Sequence, residues 1–226
     1  CECDRDVELA KQLGYTGNVL PVLPNSGGID FNTLPNPKPF QQRRIIAVKG
    51  YDGWVGRARW ALLALEALKD EIDGFEIVVF SADRVATRLA RQIQRRTGLN
   101  IRIHNKGALS HEEMMGLFAA SRIYVGVSLS DGLSTSMLEA IANGCFAVQT
   151  STACTTKFLS EGVNGLTISE LSPDGVLSSL KQALWYLGNA DFSSESGFDN
   201  AGFRLKTSRD YIEQMSRQFF YTHAKD

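Results

Sequence analysis

A single carboxylate, Glu139, lies within an apolar helical segment of this chain. Its neighbours are Met137, Leu138, Ala140 and Ile141, and a helix that is apolar on nearly all sides is normally buried. Burying a carboxylate costs free energy unless hydrogen-bond donors surround it. Because ribose hydroxyls are suitable donors, we predict that Glu139 binds a ligand rich in hydroxyl groups.

A second carboxylate, Asp131, lies eight positions before Glu139, in the loop that leads into the same helix. The other candidate site residues of this loop and helix start are Gly132, Leu133, Ser134 and Thr135. The N-terminus of a helix presents backbone N–H groups that have no partner within the helix, and it favours anions. The loop and Glu139 together predict a pocket for a ligand that carries both phosphate and sugar hydroxyls.

A basic, glycine-rich segment follows the first strand of the central part of the chain. Gly50, Gly53 and Gly56 allow the backbone to turn tightly and to approach a ligand closely. The cations of this segment are Lys49, Arg57 and Arg59. Such cations suit a phosphate group, although the glycine spacing matches neither a P-loop nor a dinucleotide fingerprint. Arg59 is preferred to Arg57, because that choice leaves alanines and leucines on the inward stripe of the helix.

Two further candidates, His104 and Lys106, follow the third strand of this region. Their backbone would wall a slot for a nucleotide base, and an ordinary turn is the alternative interpretation. His111 stands beside Glu112 and Glu113, which is more typical of a solvated helix start than of a catalytic site. We find no Ser-His-Asp arrangement and no second buried carboxylate for acid–base catalysis. The sequence therefore favours phosphate-ligand binding in which cations, rather than a nucleophile, act.

Composition narrows the function classes further. The chain has 226 residues and a formal net charge of −1, which argues against general nucleic-acid binding because that needs a basic face. No apolar run approaches the roughly 20 residues of a membrane-spanning helix. The four cysteines lack metal-ligand spacing, so we predict free thiols, a reducing compartment and a cytoplasmic location. Because the chain does not begin with Met, we expect it to be part of a longer protein.

Short apolar runs alternate with amphipathic segments of helical length along most of the chain. The predicted helices cover residues 4–13, 56–71, 82–97, 111–121, 135–143, 156–160, 174–188 and 206–224. The predicted strands cover residues 18–22, 44–48, 76–80, 101–104, 123–127, 146–150 and 166–168. This alternation predicts an α/β fold with a Rossmann-like parallel sheet and helices on both faces. The candidate loops then share the edge formed by the carboxyl ends of the strands, where ligands bind.

A family pattern is visible in Ser128, Asp131-Gly-Leu-Ser134, Glu139-Ala140 and Gly144. It resembles the E-x7-E motif in the C-terminal, donor-binding half of GT-B glycosyltransferases, in particular the retaining family 4. Residues 161–166 resemble the family's Asp-Gly-x-Asn-Gly turn, and residues 24–30 resemble its Pro-Asn-Gly-Val-Asp segment. The chain departs from the pattern where Asp131 replaces the first Glu, and where Ala153-Cys154 and Lys157 replace a common Gly-Gly and Glu.

The resemblance implies a role for each candidate residue. Glu139 would bind the ribose hydroxyls of a nucleotide diphosphate sugar, and Asp131 with the amides of residues 132–134 would hold the donor sugar and phosphates. Lys49 and Arg59 would stabilise the departing diphosphate, because preorganised cations lower the barrier where negative charge develops. No metal and no other cofactor is expected.

The resemblance also implies a division of the chain. Residues 1–30 would be the tail of an N-terminal acceptor domain, 31–43 a linker, 44–190 the nucleotide-sugar-binding domain and 191–226 a C-terminal helical extension. An acceptor glycan or lipid-linked sugar would bind the remainder of the N-terminal domain, so we expect this fragment to be inactive alone. The full-length protein would act in polysaccharide biosynthesis, with peripheral contact to the inner face of the membrane as one option.

Two other interpretations stay open. The non-hydrolysing nucleotide-sugar 2-epimerases share the fold, but they need acid–base side chains at the base of the cleft, and the sequence offers no convincing ones. A nucleotide-binding module without transfer activity is the remaining interpretation, and the departures at Asp131 and Lys157 are compatible with it.

Overall fold

The centre of the molecule is a parallel sheet of six strands in the order β3-β2-β1-β4-β5-β6. The computed structural model describes residues 3–19, 22–23, 27–152, 154–188 and 201–223. The strands are β1 (Ile45–Lys49), β2 (Glu76–Ala82), β3 (Ile101–Asn105), β4 (Ser121–Gly126), β5 (Phe146–Thr150) and β6 (Gly165–Ile168). This order is that of Rossmann folds, in which a ligand crevice opens where the order reverses, here between β1 and β4. The predicted fold class is confirmed.

Helices connect the strands and cover the sheet. They are α1 (Asp4–Gln12), α2 (Ala58–Ala67), α3 (Arg84–Thr97), α4 (His111–Ala120), α5 (Thr135–Ala142), α6 (Pro173–Gly188), α7 (Ala201–Thr207) and α8 (Arg209–His223). Short 3-10 turns lie at Phe40–Gln42 and Thr155–Lys157. Within the described ranges, no helix combines the length and the apolar composition that crossing a membrane requires.

Two hydrophobic cores lie on opposite faces of the sheet. In β1, Ile46 and Val48 pack into the core that α2, α3 and α6 cover. Ala47, between them, packs into the core that α4 and α5 cover. Every residue of β4 and β5 is buried. The central strands are therefore buried on both faces, as expected of a parallel sheet between two helical layers.

The helix ends follow their sequence signals. Ser110 and Glu113 form a capping box at the start of α4, and the hydrogen bond from the Ser110 backbone lowers the pKa of Glu113. Asp83 accepts hydrogen bonds from two backbone N–H groups at the start of α3. Gly98 ends α3 in the left-handed region, with φ of 76°, the conformation in which glycine commonly caps a helix. These signals fix where the helices begin and end beside the loops.

The two ends of the chain differ from the sequence predictions. The predicted strand at 18–22 is wrong for its described residues, which are not in a strand, while residues 20–21 lie outside the described part. The single helix predicted at 206–224 is instead α7 and α8, which meet at Ser208. At this break, Ile29 donates a backbone hydrogen bond to Thr207 and accepts one from Arg209. The break thus lets an early segment of the chain pair with the end of the chain. Residues 191–200, the first part of the predicted C-terminal extension, lie outside the described residues.

A disulfide bond joins Cys3 to Cys154, which are 151 positions apart. This bond shows that the prediction of free thiols was wrong for these two residues. The reason is that they meet only in the folded chain, so no local spacing reveals them. Cys145 is free and buried, and burial raises its pKa to about 12. Cys145 is therefore an unreactive thiol at neutral pH, and Cys1 lies outside the described residues.

Candidate functional site

Lys49 and Asp131 come together at the carboxyl edge of the sheet. The Nζ atom of Lys49 lies 3.6 Å from Oδ2 of Asp131 and donates a hydrogen bond of 3.4 Å to Oγ of Ser134. Both charged side chains are about one-third exposed. They line a cavity of about 190 Å³, the smaller cavity, together with Tyr51, Val55, Gly56, Val127, Ser128, Ser130 and Gln149. The structure thus brings a cation and a carboxylate from two predicted loops to one place that is open to a ligand.

The position of Lys49 depends on the glycine that follows it. A Cβ atom at Gly50 would lie 2.7 Å from Cα of Ala82, closer than side chains approach the backbone. Glycine therefore allows the end of β1 to lie against β2. The loop then turns back sharply, because a Cβ atom at Gly56 would lie 2.1 Å from the carbonyl oxygen of Tyr51. The two glycines shape the loop that walls the smaller cavity.

A tyrosine under the loop supports the start of α5. Tyr124 is fully buried in β4, and its hydroxyl is hydrogen-bonded to Oγ of Ser136 at 3.0 Å and of Ser134 at 3.4 Å. These contacts hold Ser134, which accepts the hydrogen bond from Lys49. The sequence analysis missed Tyr124, and the available signal was a hydroxyl-bearing side chain between the apolar residues Ile123 and Val125.

Glu139, in α5, lines a second, larger cavity of about 560 Å³. Its side chain is 18% exposed and its Oε1 lies 3.8 Å from Nδ1 of His111. Burial raises the pKa of Glu139, and the nearby His111 offsets part of this rise. Thr135, one helical turn before Glu139, lines the same cavity. Glu139 is therefore a largely buried carboxylate with room for hydroxyl groups in front of it.

Residues far from the sheet close the larger cavity from the opposite side. Asp30 and Arg209, whose side chains lie 3.5 Å apart, line it together with Thr33, Leu34 and Pro35. Gly28 lies against the backbone of Arg209, where a Cβ atom would be 2.5 Å from its Cα. This wall comes from the two ends of the chain. Sequence reasoning missed it because no local pattern records the pairing of distant segments.

The buried carboxyl of Glu139 should make the stability of the chain depend on pH. A carboxyl whose folded-state pKa is raised contributes stability that is fully present below its unfolded pKa, near 4.5, and is lost as the pH rises through the folded pKa. Relative to Glu139→Gln, the native chain should therefore lose unfolding free energy above about pH 4.5. Urea titrations between about pH 4 and about pH 8 measure this difference. Asp30, His111, Glu112 and Arg209 face the same cavity in both chains, so a difference that does not change with pH would contradict the raised pKa.

Arg57 directly precedes α2 and Arg59 lies in its first turn, but neither lines the two cavities in the described part of the chain. Arg57 donates hydrogen bonds from Nη1 to the carbonyls of Gly53, Trp54 and Gly56. Arg59 pairs with the buried Asp52, with 2.7 Å between Nε and Oδ2. Asp52 is a second buried carboxylate, which corrects the sequence analysis. The sequence analysis did not identify Asp52 as buried, because its cationic partner, Arg59, stands seven positions later.

His104 and Lys106 lie at the far edge of the sheet from Glu139. His104 belongs to β3, the edge strand, and Lys106 is exposed in the turn that follows. The backbone N–H of Lys106 donates to the carbonyl of Ala82 at 3.2 Å. The cavity linings do not include either residue among those that the structure describes. Their proposed role in binding a base stays a prediction.

The N-terminal helix α1 is fastened to the loops that surround the smaller cavity. Cys3 is bonded to Cys154, in the loop after β5. Arg5 donates hydrogen bonds to the carbonyls of Thr152 at 2.9 Å and Asp131 at 3.4 Å. In addition, Lys157 lies 3.2 Å from a carboxylate oxygen of Asp4. Cys154 and Lys157, which depart from the family pattern, therefore attach the loop after β5 to the start of the chain.

Two observations limit the chemistry of the molecule. Among the described residues, no group of three or more His, Cys, Asp or Glu side chains is placed to hold a metal ion. A further cavity, of about 700 Å³, lies at the amino ends of the strands, beside Arg43, Ile45 and Glu76. Parallel sheets bind their ligands at the opposite edge. We therefore place the candidate site at the two cavities beside α5.

Comparison with solved structures identifies the fold. HepE from Anabaena in complex with UDP superposes with a TM-score of 0.75 and 13% identity, over 98% of this chain and 63% of that one. The GtfA/B complex gives a TM-score of 0.74 and 15% identity, over 99% and 44% of the two chains. Sucrose-phosphate synthase from Thermosynechococcus elongatus gives 0.72 and 13%, over 99% and 58%. The chain thus spans less than two thirds of each of these proteins.

Comparison with protein families gives a sequence-level match. The model of the family described as "Glycosyl transferases group 1" matches residues 42–184, which is more than half of the chain. No curated protein sequence matches the chain. The matched residues include Asp131, Glu139 and all of the sheet. The chain therefore belongs to the group 1 glycosyl transferases, and its fold is the Rossmann-like, C-terminal half of a GT-B glycosyltransferase.

Proposed function

We propose that this chain is the donor-binding part of a retaining glycosyltransferase that moves a hexosyl group from a nucleotide diphosphate sugar to an acceptor. The observation that carries the proposal is Glu139, a largely buried carboxylate that faces a cavity large enough for a nucleoside. A carboxylate in that setting is stable only with donors around it, and ribose hydroxyls supply two.

The two cavities suit the two ends of such a donor. Thr135 and Glu139 line the larger cavity, whereas Lys49 and Asp131 line the smaller one, and Lys49 donates a hydrogen bond to Ser134, the residue before α5. In the proposed arrangement the ribose lies at Glu139 and the diphosphate lies at Lys49 near the start of the helix. The donor sugar lies beside Asp131. Solved HepE structures from Anabaena contain UDP or UDP-glucose, which supports a donor of this class.

Lys49 is the cation that we place nearest the diphosphate. Lys49→Met is expected to weaken UDP binding about tenfold while leaving uridine binding unchanged, because a charge-assisted contact is worth about 1.5 kcal/mol here. Arg59→Met is expected to have a smaller effect, since Asp52 holds Arg59 outside the cavity lining. Titration calorimetry measures both effects.

Lys69→Met is the matched control for Lys49, because Lys69 lines the cavity at the opposite edge of the sheet. If Lys69→Met weakened UDP binding as much as Lys49→Met, the effect would reflect net charge alone. Equal losses for UDP and uridine in Lys49→Met would also contradict contact between Lys49 and the diphosphate.

Transfer by the full-length protein tests the enzymatic part of the proposal. With donor and acceptor, a retaining transferase releases nucleoside diphosphate and gives a product with the donor's anomeric configuration, which NMR reads directly. Inversion at C2 without loss of diphosphate would instead identify an epimerase, and inertness would identify a binding module. We expect the 226-residue chain alone to bind donor without transferring it, and chelation of metals to change neither result.

The acceptor and the cellular setting are separate parts of the proposal. A glycan or lipid-linked sugar would bind the N-terminal domain of the full-length protein, which would act in polysaccharide biosynthesis. The Cys3–Cys154 disulfide weighs against a cytoplasmic location, because stable disulfides are rare in reducing compartments. Non-reducing electrophoresis of the protein from its native cells, with alkylation at lysis, would settle which redox state is present.

A further inference from the structure

One buried polar side chain at the smaller cavity has no role in the site described so far. Gln149, in β5, is 1% exposed and lines the cavity together with Lys49 and Asp131. Its Nε2 donates a hydrogen bond of 3.4 Å to Oγ1 of Thr150. Its Oε1 is buried and has no hydrogen-bond partner in the part of the chain that the structure describes. Such oxygens are uncommon in folded proteins, and each one calls for an explanation.

The fold makes room for this amide. Gly126 in β4 pairs with Gln149 across the sheet, and a Cβ atom at Gly126 would lie 2.0 Å from Oε1 of Gln149. The same Cβ atom would lie 2.8 Å from the hydroxyl of Tyr124. Any residue other than glycine at position 126 would therefore displace the amide. Gly126 and Gln149 together therefore place a hydrogen-bond acceptor in the wall of the smaller cavity.

The hydrogen-bonding chemistry of Oε1 determines which part of the proposed donor can bind to it. An amide oxygen only accepts hydrogen bonds, so it needs an O–H or N–H group. An ionised diphosphate has no such group and cannot be its partner. The hydroxyl groups of a sugar can donate a hydrogen bond to it. The transferred sugar is also the part of the donor that we place beside Asp131, in the same cavity.

We propose that Gln149 determines specificity for the transferred sugar by accepting a hydrogen bond from one of its hydroxyl groups. This inference rests on the proposed function, because it assigns one contact within the donor site. A site built to bond a hydroxyl rejects an analogue that lacks it, since the buried oxygen is then left unpaired. Gln149 thus distinguishes sugars, whereas Glu139 and Lys49 hold the nucleotide that all of them share.

Calorimetric titration of the 226-residue chain tests this inference. The ligands are UDP, GDP and ADP, their glucose, galactose, mannose and N-acetylglucosamine conjugates, and monodeoxy analogues of the conjugate that binds best. One monodeoxy analogue is expected to bind the native chain about tenfold more weakly than its parent, which is the worth of about one hydrogen bond. In Gln149→Met, which is similar in size but has no polar side-chain group, the affinity for the parent should fall about tenfold and match the affinity for that analogue. Nucleoside diphosphate binding should stay within about twofold.

Gln149→Glu serves as the second variant, because it keeps an acceptor oxygen and should keep the preference for the parent over the analogue. If Gln149→Met fails to fold, the Glu variant and the native deoxy series still decide the question. The inference is overturned if the native chain binds every monodeoxy analogue as tightly as the parent conjugate. It is also overturned if Gln149→Met keeps the native ratio of the two affinities, or if Gln149→Glu loses it. Equal losses of affinity for nucleoside diphosphate and conjugate in Gln149→Met would overturn it as well. A native chain that binds no nucleoside diphosphate would overturn the proposed function itself, which is a distinguishable result.

Discussion

Replacing Glu139 by alanine is expected to weaken the binding of a nucleoside diphosphate to this chain about 100-fold. Hydrogen bonds to a charged group contribute about 1.5–3 kcal/mol each, and a ribose diol offers two. A loss of about 2.7 kcal/mol corresponds to two factors of ten in affinity. The site favours a strong effect, because the side chain is only 18% exposed and little water competes for it. Titration calorimetry with UDP, GDP and ADP gives the measurement.

Glu112→Ala is the matched control, since Glu112 lines the same cavity but is exposed at the start of α4. This change removes the same charge from the same cavity, so it should alter affinity less than about threefold. Equal effects of the two substitutions would show that the cavity responds to net charge and that Glu139 makes no specific contact. Circular dichroism of both variants excludes unfolding as the cause.

Removing the disulfide is expected to lower the unfolding free energy of the chain by about 2–4 kcal/mol, because the bond closes a long loop and restricts the unfolded chain. The bond connects positions 151 residues apart. Urea unfolding with and without dithiothreitol measures the loss, and Cys154→Ser should show the same loss without any reductant. Since Arg5 and Asp4 also attach α1 to the same loops, the helix should remain in place when the bond is broken.

The Cys154→Ser variant also provides the control for the reductant. Dithiothreitol should not change its stability further, because the bond is already absent. Cys145 should resist alkylation in the folded chain in either case, since burial raises its pKa to about 12. A reductant that left the native chain unchanged, or that destabilised the variant to the same extent, would contradict a structural disulfide between Cys3 and Cys154.

The sequence predicted the parts of the molecule that depend on local pattern. The spacing of apolar residues predicted the strands and most of the helices. This was possible because the spacing is a property of neighbouring residues. The meeting of Lys49 with Asp131 was also expected, since the carboxyl ends of parallel strands share one edge. What local pattern could not give was the partner of each charge. Asp52 holds Arg59, and this pairing became visible only in the folded loop.

Contacts between distant segments account for the rest. Cys3 meets Cys154 and Ile29 meets Ser208, and neither pairing leaves a trace in residue spacing. The first pairing attaches the start of the chain to the loops that surround the smaller cavity. The second helps to close the larger cavity in front of Glu139. For Gln149, the sequence showed a polar residue in a buried strand, but its unpaired oxygen depends on Gly126 in the neighbouring strand. Long-range packing therefore completes a candidate site of which the local sequence had predicted Lys49, Asp131 and Glu139, but not Asp30 and Arg209.

The central claim is that the two cavities beside α5 together bind a nucleotide diphosphate sugar. Calorimetric titration of the 226-residue chain with the UDP, GDP and ADP forms of common hexoses tests it most directly. The claim predicts saturable one-to-one binding of at least one conjugate, weakened about 100-fold in Glu139→Ala and about tenfold in Lys49→Met. Absence of binding by every conjugate to the folded native chain, or equal binding by the native chain and Glu139→Ala, would contradict it.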